Sequence, residues 1–221
     1  RIDHRSRCIG YRGVVGVKKD LAAALAYVDS HQEKFIDELL ELVRQPSIST
    51  QNIGVRECAD LVCRHLQQVG VEAKVYETAL HPIVVGERQG KRRDMTVLLY
   101  GHYDVQPPEP LDLWISPPFE PEIRNGRIYG RGSADDKGQF FTHIKAVEAW
   151  LAAADELPIN VKFIFEGEEE IGSPNLSQFI DTHRELLAAD LMVGADGNVH
   201  PSGCPEIALG MKGMLYVELI A

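Results

Sequence analysis

The chain has 221 residues, 44% hydrophobic and 25% charged, an ordinary balance for a folded globular protein with room for one sizeable α/β domain, or one domain and part of another. Asp and Glu number 33 against 23 Lys and Arg, and the net charge of -10 argues against a nucleic-acid backbone or an anionic membrane surface as partner. No run approaches the roughly 20 apolar residues of a membrane span. Residues 1–16 do not read as a signal peptide. Cys8, Cys58, Cys63 and Cys204 form no CxxC pair and no disulfide framework, so a reducing cytoplasm is the expected location.

Residues 1–19 read as an N-terminal arm outside the fold. From Asp20 to Val43, the residues Leu21, Leu25, Val28, Phe35, Ile36, Leu39, Leu40 and Val43 recur at helical spacing. Ser30 is a candidate break in this stretch, and Gln45-Pro46-Ser47 ends it because the residue before a proline disfavours the α region. Helical spacing resumes over 55–69 and stops at Gly70, a C-cap residue, with Cys58 and Cys63 read as small buried thiols on that helix.

The period then shortens. Short strands are expected over 72–76 and 83–85, and the continuous apolar run Thr96–Tyr100 suits a buried central strand. A Pro-rich loop follows over 107–121, pinned by Trp114 and Phe119, then a turn and short strand over 126–130. A helix after Gly138 carries Phe141, Ile144, Val147, Trp150 and Leu151. Residues 160–165 read as a strand, 175–187 as a helix, 191–194 as a strand, and 211–221 have strand character. This alternation predicts an α/β fold with a mostly parallel sheet sandwiched by helices.

Chemistry-bearing residues collect where the predicted strands run out. His102 and Asp104 follow the 96–100 strand, Glu168, Glu169 and Glu170 follow the 160–165 strand, and Asp196 follows the 191–194 strand. Asp135 and Asp136 open the turn into the helix after Gly138. In an open parallel sheet these strand ends form the ligand-binding crevice, so the four groups converge on one edge.

An isolated histidine is more often a satisfied core residue. Asp104 tips that balance, because a metal-bound imidazole commonly donates its other N–H to a carboxylate and positions 102 and 104 of an extended segment face the same way. Asp135 is the choice for a carboxylate shared by two cations, and Asp136 is not read as a ligand. Among the three adjacent glutamates at least one is expected to be a solvated face, while two divide metal ligation and proton transfer. Asp196 is either a turn residue or a terminal ligand. The combination is how a dinuclear metal hydrolase is assembled. No GxGxxG follows the first strand and no GxxxxGK[ST] occurs, which sets a nucleotide site aside.

Three segments together resemble the M20 family of metallopeptidases: Gly101-His102-Tyr103-Asp104-Val105-Gln106-Pro107, Tyr129-Gly130-Arg131-Gly132-Ser133 with Trp114, and the Glu166–Glu170 run. The likeness covers roughly residues 20–221 and is strongest to the carnosinase and cytosolic non-specific dipeptidase branch; deacylase relatives more often carry Val where Gln106 stands. It implies a zinc-exopeptidase (phosphorylase/hydrolase-like) catalytic domain over 20–210, incomplete and without its lid, and over 211–221 the start of the lid or a last strand.

The resemblance also implies two Zn²⁺ ions, with Mn²⁺ or Co²⁺ as substitutes. His102 and Asp196 would hold the first ion, Glu170 the second and Asp135 both. Asp104 would orient the histidine, Glu169 would be the general base, and the Asp135–Asp136 peptide would be cis. The implied reaction is hydrolysis of the amide bond of dipeptides or short peptides by zinc-activated water. Small peptide or N-acyl amino-acid substrates are the implied partners, with a homodimer formed through the lid. Two competing expectations are an N-acyl amino-acid deacylase of the same family and an inactive metal-binding fragment lacking the lid and a C-terminal histidine ligand, for which His200 is a poor substitute.

Overall fold

The computed structural model describes residues 15–197, 213 and 217–219. Its helices are α1 (Val15–Ser30), α2 (Gln32–Arg44), α3 (Val55–Gln68), α4 (Lys137–Ala154), α5 (Leu176–Thr182) and α6 (Arg184–Leu187). Its strands are β1 (Glu72–Tyr76), β2 (Ile83–Arg88), β3 (Arg92–His102), β4 (Glu122–Arg124), β5 (Arg127–Tyr129), β6 (Ile159–Glu166) and β7 (Leu191–Gly194). The helical pattern read from Asp20 begins at Val15 and does divide after Ser30. The 175–187 helix divides too, around His183, whose N–H already bonds back to Phe179 and Ile180. Gly70 has a left-handed φ of 82°, and its N–H and that of Val71 close the end of α3 on the Gln67 and Leu66 carbonyls. His200 and most of 211–221 lie outside the described residues.

Five strands form one sheet in the order β1-β2-β6-β3-β7. The β6–β3 and β3–β7 ladders are parallel, and those joining β2 to β1 and to β6 are antiparallel. Four of the five strands therefore run in one direction and β2 alone runs against them. The sheet is mixed, and mostly parallel in the sense expected. The reversal follows from chain length: β1 and β2 are joined by only six residues, too few for the crossover that a parallel pair requires. The pair β4–β5 stands apart as a two-stranded sheet.

Alternation along the central strands explains why their sequences read as unbroken apolar runs. Leu99, Val161, Phe163 and Phe165 face the large core made with α3 and α4. Leu98 and Ile164, one residue out of phase, join Phe179 of α5 and Leu187 of α6 on the opposite face. Both faces are thus covered, as the near-continuous hydrophobicity of β3 and β6 requires. Burying one such Leu or Phe contributes about 1.5–3 kcal/mol, so this double layer fixes the strand ends that carry the polar cluster.

Two features seat the start of α4 against those ends. Lys137 is fully buried, and its Nζ donates to the carbonyls of Leu42 (3.2 Å) and Gln45 (2.6 Å) at the end of α2. These are carbonyls that a helix C-terminus leaves without intrahelical partners, so the ammonium finds acceptors without reaching solvent. Gly101 lets β3 approach α4 closely. A Cβ there would lie 2.6 Å from Phe140 Cβ and 2.7 Å from Asp136 Oδ2. Gly101→Ala is therefore expected to destabilise the fold by about 1–3 kcal/mol, the usual cost of overpacking, read as a lowered thermal midpoint. An unchanged midpoint would mean that α4 can retreat from the strand freely.

Candidate metal centre

β3 and β6 end side by side, with His102 opposite Glu166 in the register. Past His102 the chain stays extended: the Val105 N–H bonds the Ser47 carbonyl at 2.9 Å, and Val105 forms a parallel bridge with Ile48. His102, Asp104 and Gln106 consequently face one way.

His102 is fully buried, and both of its ring nitrogens meet carboxylates. Nδ1 lies 3.1 Å from the Asp104 carbonyl and 3.4 Å from Asp104 Oδ1. Nε2 lies 3.0 Å from Asp135 Oδ1, 3.7 Å from Asp196 Oδ2 and 3.9 Å from Glu169 Oε2. Burial alone opposes a charge on this ring. The Asp104 contact and the negative charges of Asp104, Asp136 and Glu169 outweigh it and push the imidazole pKa up to about 10. The cluster attracts positive charge, and a divalent cation at Nε2 would take the place of the proton.

Ligand atoms of His102, Asp135 and Asp196 all lie within 4.8 Å of one another. One imidazole nitrogen with carboxylate oxygens is a donor set that zinc accepts, and manganese or cobalt also tolerate. The carboxylates are accessible where the histidine is not, with side-chain exposures of 64% for Asp135, 38% for Asp196 and 37% for Glu169. The residues present fit a cation held at an open mouth.

Asp104 ties this histidine to the next turn. It is fully buried, and its Oδ1 and Oδ2 accept the backbone N–H groups of Glu169 (3.2 Å) and Glu170 (3.1 Å). One carboxylate thereby sets both the ring and the two glutamates. Asp136 works from beneath. Its Oδ2 accepts the His102 backbone N–H at 3.1 Å, and burial pushes its carboxyl pKa up to about 7 against the pull of that N–H and of the His102 charge. The peptide between Asp135 and Asp136 is cis.

A family model described as peptidase family M20/M25/M40 matches residues 98–207, the stretch that contains every residue of this cluster. The Cys-Gly metallodipeptidase dug1 of Schizosaccharomyces pombe is 31% identical over 219 residues, covering 92% of this chain and 46% of that protein. The chain belongs to the M20 peptidases. Among solved structures, an M20 metallo-carboxypeptidase from Sulfolobus solfataricus superimposes with a TM-score of 0.74 at 37% identity, covering 78% of this chain and 39% of that one. Human carnosine dipeptidase 1 gives a TM-score of 0.75 at 30% identity, covering 80% and 41%. This M20 chain spans less than half the length of these relatives.

In this M20 chain the three adjacent glutamates divide by burial: Glu168 is buried, while Glu169 and Glu170 are partly exposed. Glu168 is 2% exposed, and it accepts hydrogen bonds from Thr78 Oγ1 (3.2 Å), the His81 N–H (2.8 Å) and both the N–H (3.0 Å) and the side-chain amide (2.9 Å) of Asn175. It pins the turn before β2 and the start of α5. Glu166, also buried, accepts Tyr100 Oη (2.7 Å) and Ser173 Oγ (2.9 Å), and burial raises its pKa. The sequence alone assigns no partner to Glu166, His81 or Lys137. Glu166 and Lys137 adjoin motif residues, but Tyr100, Leu42 and Gln45, which engage them, are distant along the chain, and His81 lies near no motif residue in sequence. Glu170 stands beside Gln106, outside the group formed by His102, Asp135 and Asp196.

Proposed function

We propose that the protein carrying this chain is a metal-dependent dipeptidase with two zinc ions at the described strand ends. The observation that carries the reading is the single buried imidazole whose Nε2 faces Asp135, Asp196 and Glu169, with Asp104 behind it. Its relatives among Cys-Gly and β-Ala-His dipeptidases favour dipeptides over N-acyl amino acids as substrates.

In this reading His102 and Asp196 would hold one ion, Glu170 the other and Asp135 both, and the bound cations would supply Lewis acidity toward the scissile carbonyl and a water molecule. Asp104 keeps the ring of His102 turned so that Nε2 faces the mouth, and its hold on two backbone amides keeps Glu169 and Glu170 at the same rim. Glu169 takes the proton from the attacking water at its carboxylate and returns it to the leaving amine. Among the described residues no helix is long and apolar enough to cross a membrane, and we retain the cytoplasm as the proposed location. Residues 20–210 are the proposed catalytic domain.

The test is hydrolysis of Cys-Gly and β-Ala-His beside N-acetyl and N-succinyl amino acids, before and after dialysis against a chelator. Dipeptide cleavage that disappears on dialysis and returns with Zn²⁺, Mn²⁺ or Co²⁺ is the expected result. Cleavage confined to the N-acyl compounds, or cleavage indifferent to chelation, would overturn it.

A further inference from the structure

Glu170 is held by two contacts that both come from the segment after β3. Its N–H donates to Asp104 Oδ2 at 3.1 Å, and its Oε2 accepts a hydrogen bond from Gln106 Nε2 at 2.7 Å. The same Gln106 amide nitrogen lies 3.3 Å from the Glu170 backbone carbonyl. Three same-face residues of one extended segment thus meet one turn at three points: His102 across from the Glu169 carboxylate, Asp104 on two backbone amides, and Gln106 on the Glu170 carboxylate.

The chemistry of the third contact differs from the first two. A primary amide donates without carrying charge, so it orients a carboxylate without competing for it as an ammonium or guanidinium would. A bond to Oε2 occupies one oxygen and leaves Oε1 available. Gln106 is exposed while Asp104 is fully buried, so losing the amide leaves the buried framework of the turn in place. We infer that Gln106 is a positioning residue for Glu170: it fixes one carboxylate oxygen so that the other is presented to the second cation. The inference rests on the proposed reading of Glu170 as a metal ligand.

Hydrogen-bond partners of metal ligands typically change metal affinity by 10–100-fold when removed. The experiment is a chelator-competition titration of metal-free protein with Zn²⁺ or Co²⁺, on the unaltered protein, on Gln106→Met and on Glu170→Gln. Methionine keeps the length of the side chain and removes the donor. The expected result is two dissociation constants for the unaltered protein, with the one abolished in Glu170→Gln weakened about 10–100-fold in Gln106→Met and the other unchanged. A purely structural role would leave both constants alone, and that outcome overturns the inference while leaving the metal centre standing. If Glu170→Gln keeps both ions, or the unaltered protein binds no second ion, the assignment of Glu170 as a ligand falls and takes the inference with it.

Discussion

Glu169→Gln is expected to lower kcat for dipeptide hydrolysis by about 10²–10⁴-fold, the usual contribution of a positioned general base, with bound metal unchanged. The argument is one of elimination among neighbouring carboxylates. Glu166 is buried with Tyr100 and Ser173 on one oxygen, and Glu168 has both oxygens committed to Thr78, His81 and Asn175. Glu170 is engaged by Gln106. Glu169 alone combines a 37% exposed side chain with a carboxylate that accepts no hydrogen bond among the described residues. Its backbone is nevertheless fixed, because its N–H rests on Asp104 Oδ1. A carboxylate with a held backbone, free oxygens and access to solvent can take up a proton and release it within one turnover.

Glutamine preserves the shape and the backbone contact and removes only the basic oxygen. The measurement is kcat together with metal content by plasma mass spectrometry. Activity within tenfold of the parent would dismiss the base assignment. A parallel loss of metal would make Glu169 a ligand instead.

Much of this centre was legible in the sequence because strand ends are legible. The apolar runs of β3, β6 and β7 stop where the polarity changes, and parallel neighbours bring those stops together, so the sequence alone leads one to expect His102, Asp104, Glu169 and Asp196 at one edge. The orientation of Asp104 toward His102 was readable for a simpler reason, the two-residue period of extended chain. What sequence could not supply was non-local. The run Glu168-Glu169-Glu170 is expected from sequence to spend at least one member on solvent and two on metal ligation and proton transfer, and only the folded chain brings Thr78, His81 and Asn175 around Glu168. The burial of Lys137 depends on the end of α2, whose carbonyls at Leu42 and Gln45 accept its ammonium. The reversed direction of β2 was hidden because a short apolar strand has no polarity of its own. It is set by the six-residue link before it and by the partners it finds.

Asp135→Ala is expected to abolish paired metal binding while leaving the fold intact. Asp135 Oδ1 is the carboxylate oxygen nearest His102 Nε2, at 3.0 Å, yet its side chain is 64% exposed and contributes little to the core. Removing an exposed charge from a group that also includes Asp196 and Glu169 relieves like-charge crowding, which offsets the loss of the contact to His102 Nε2, so the metal-free variant should melt close to the metal-free parent. The difference should appear on adding metal. A ligand present at 100 times its Kd stabilises the state that binds it by about 2.7 kcal/mol, so the parent should gain thermal stability with added Zn²⁺ and the variant should gain little or none. Protein purified without chelator should carry about two ions per chain for the parent and lose them in the variant, the behaviour of a carboxylate shared between two cations. Loss of one ion with the other retained would make Asp135 a terminal ligand, and full retention of both would remove it from the centre.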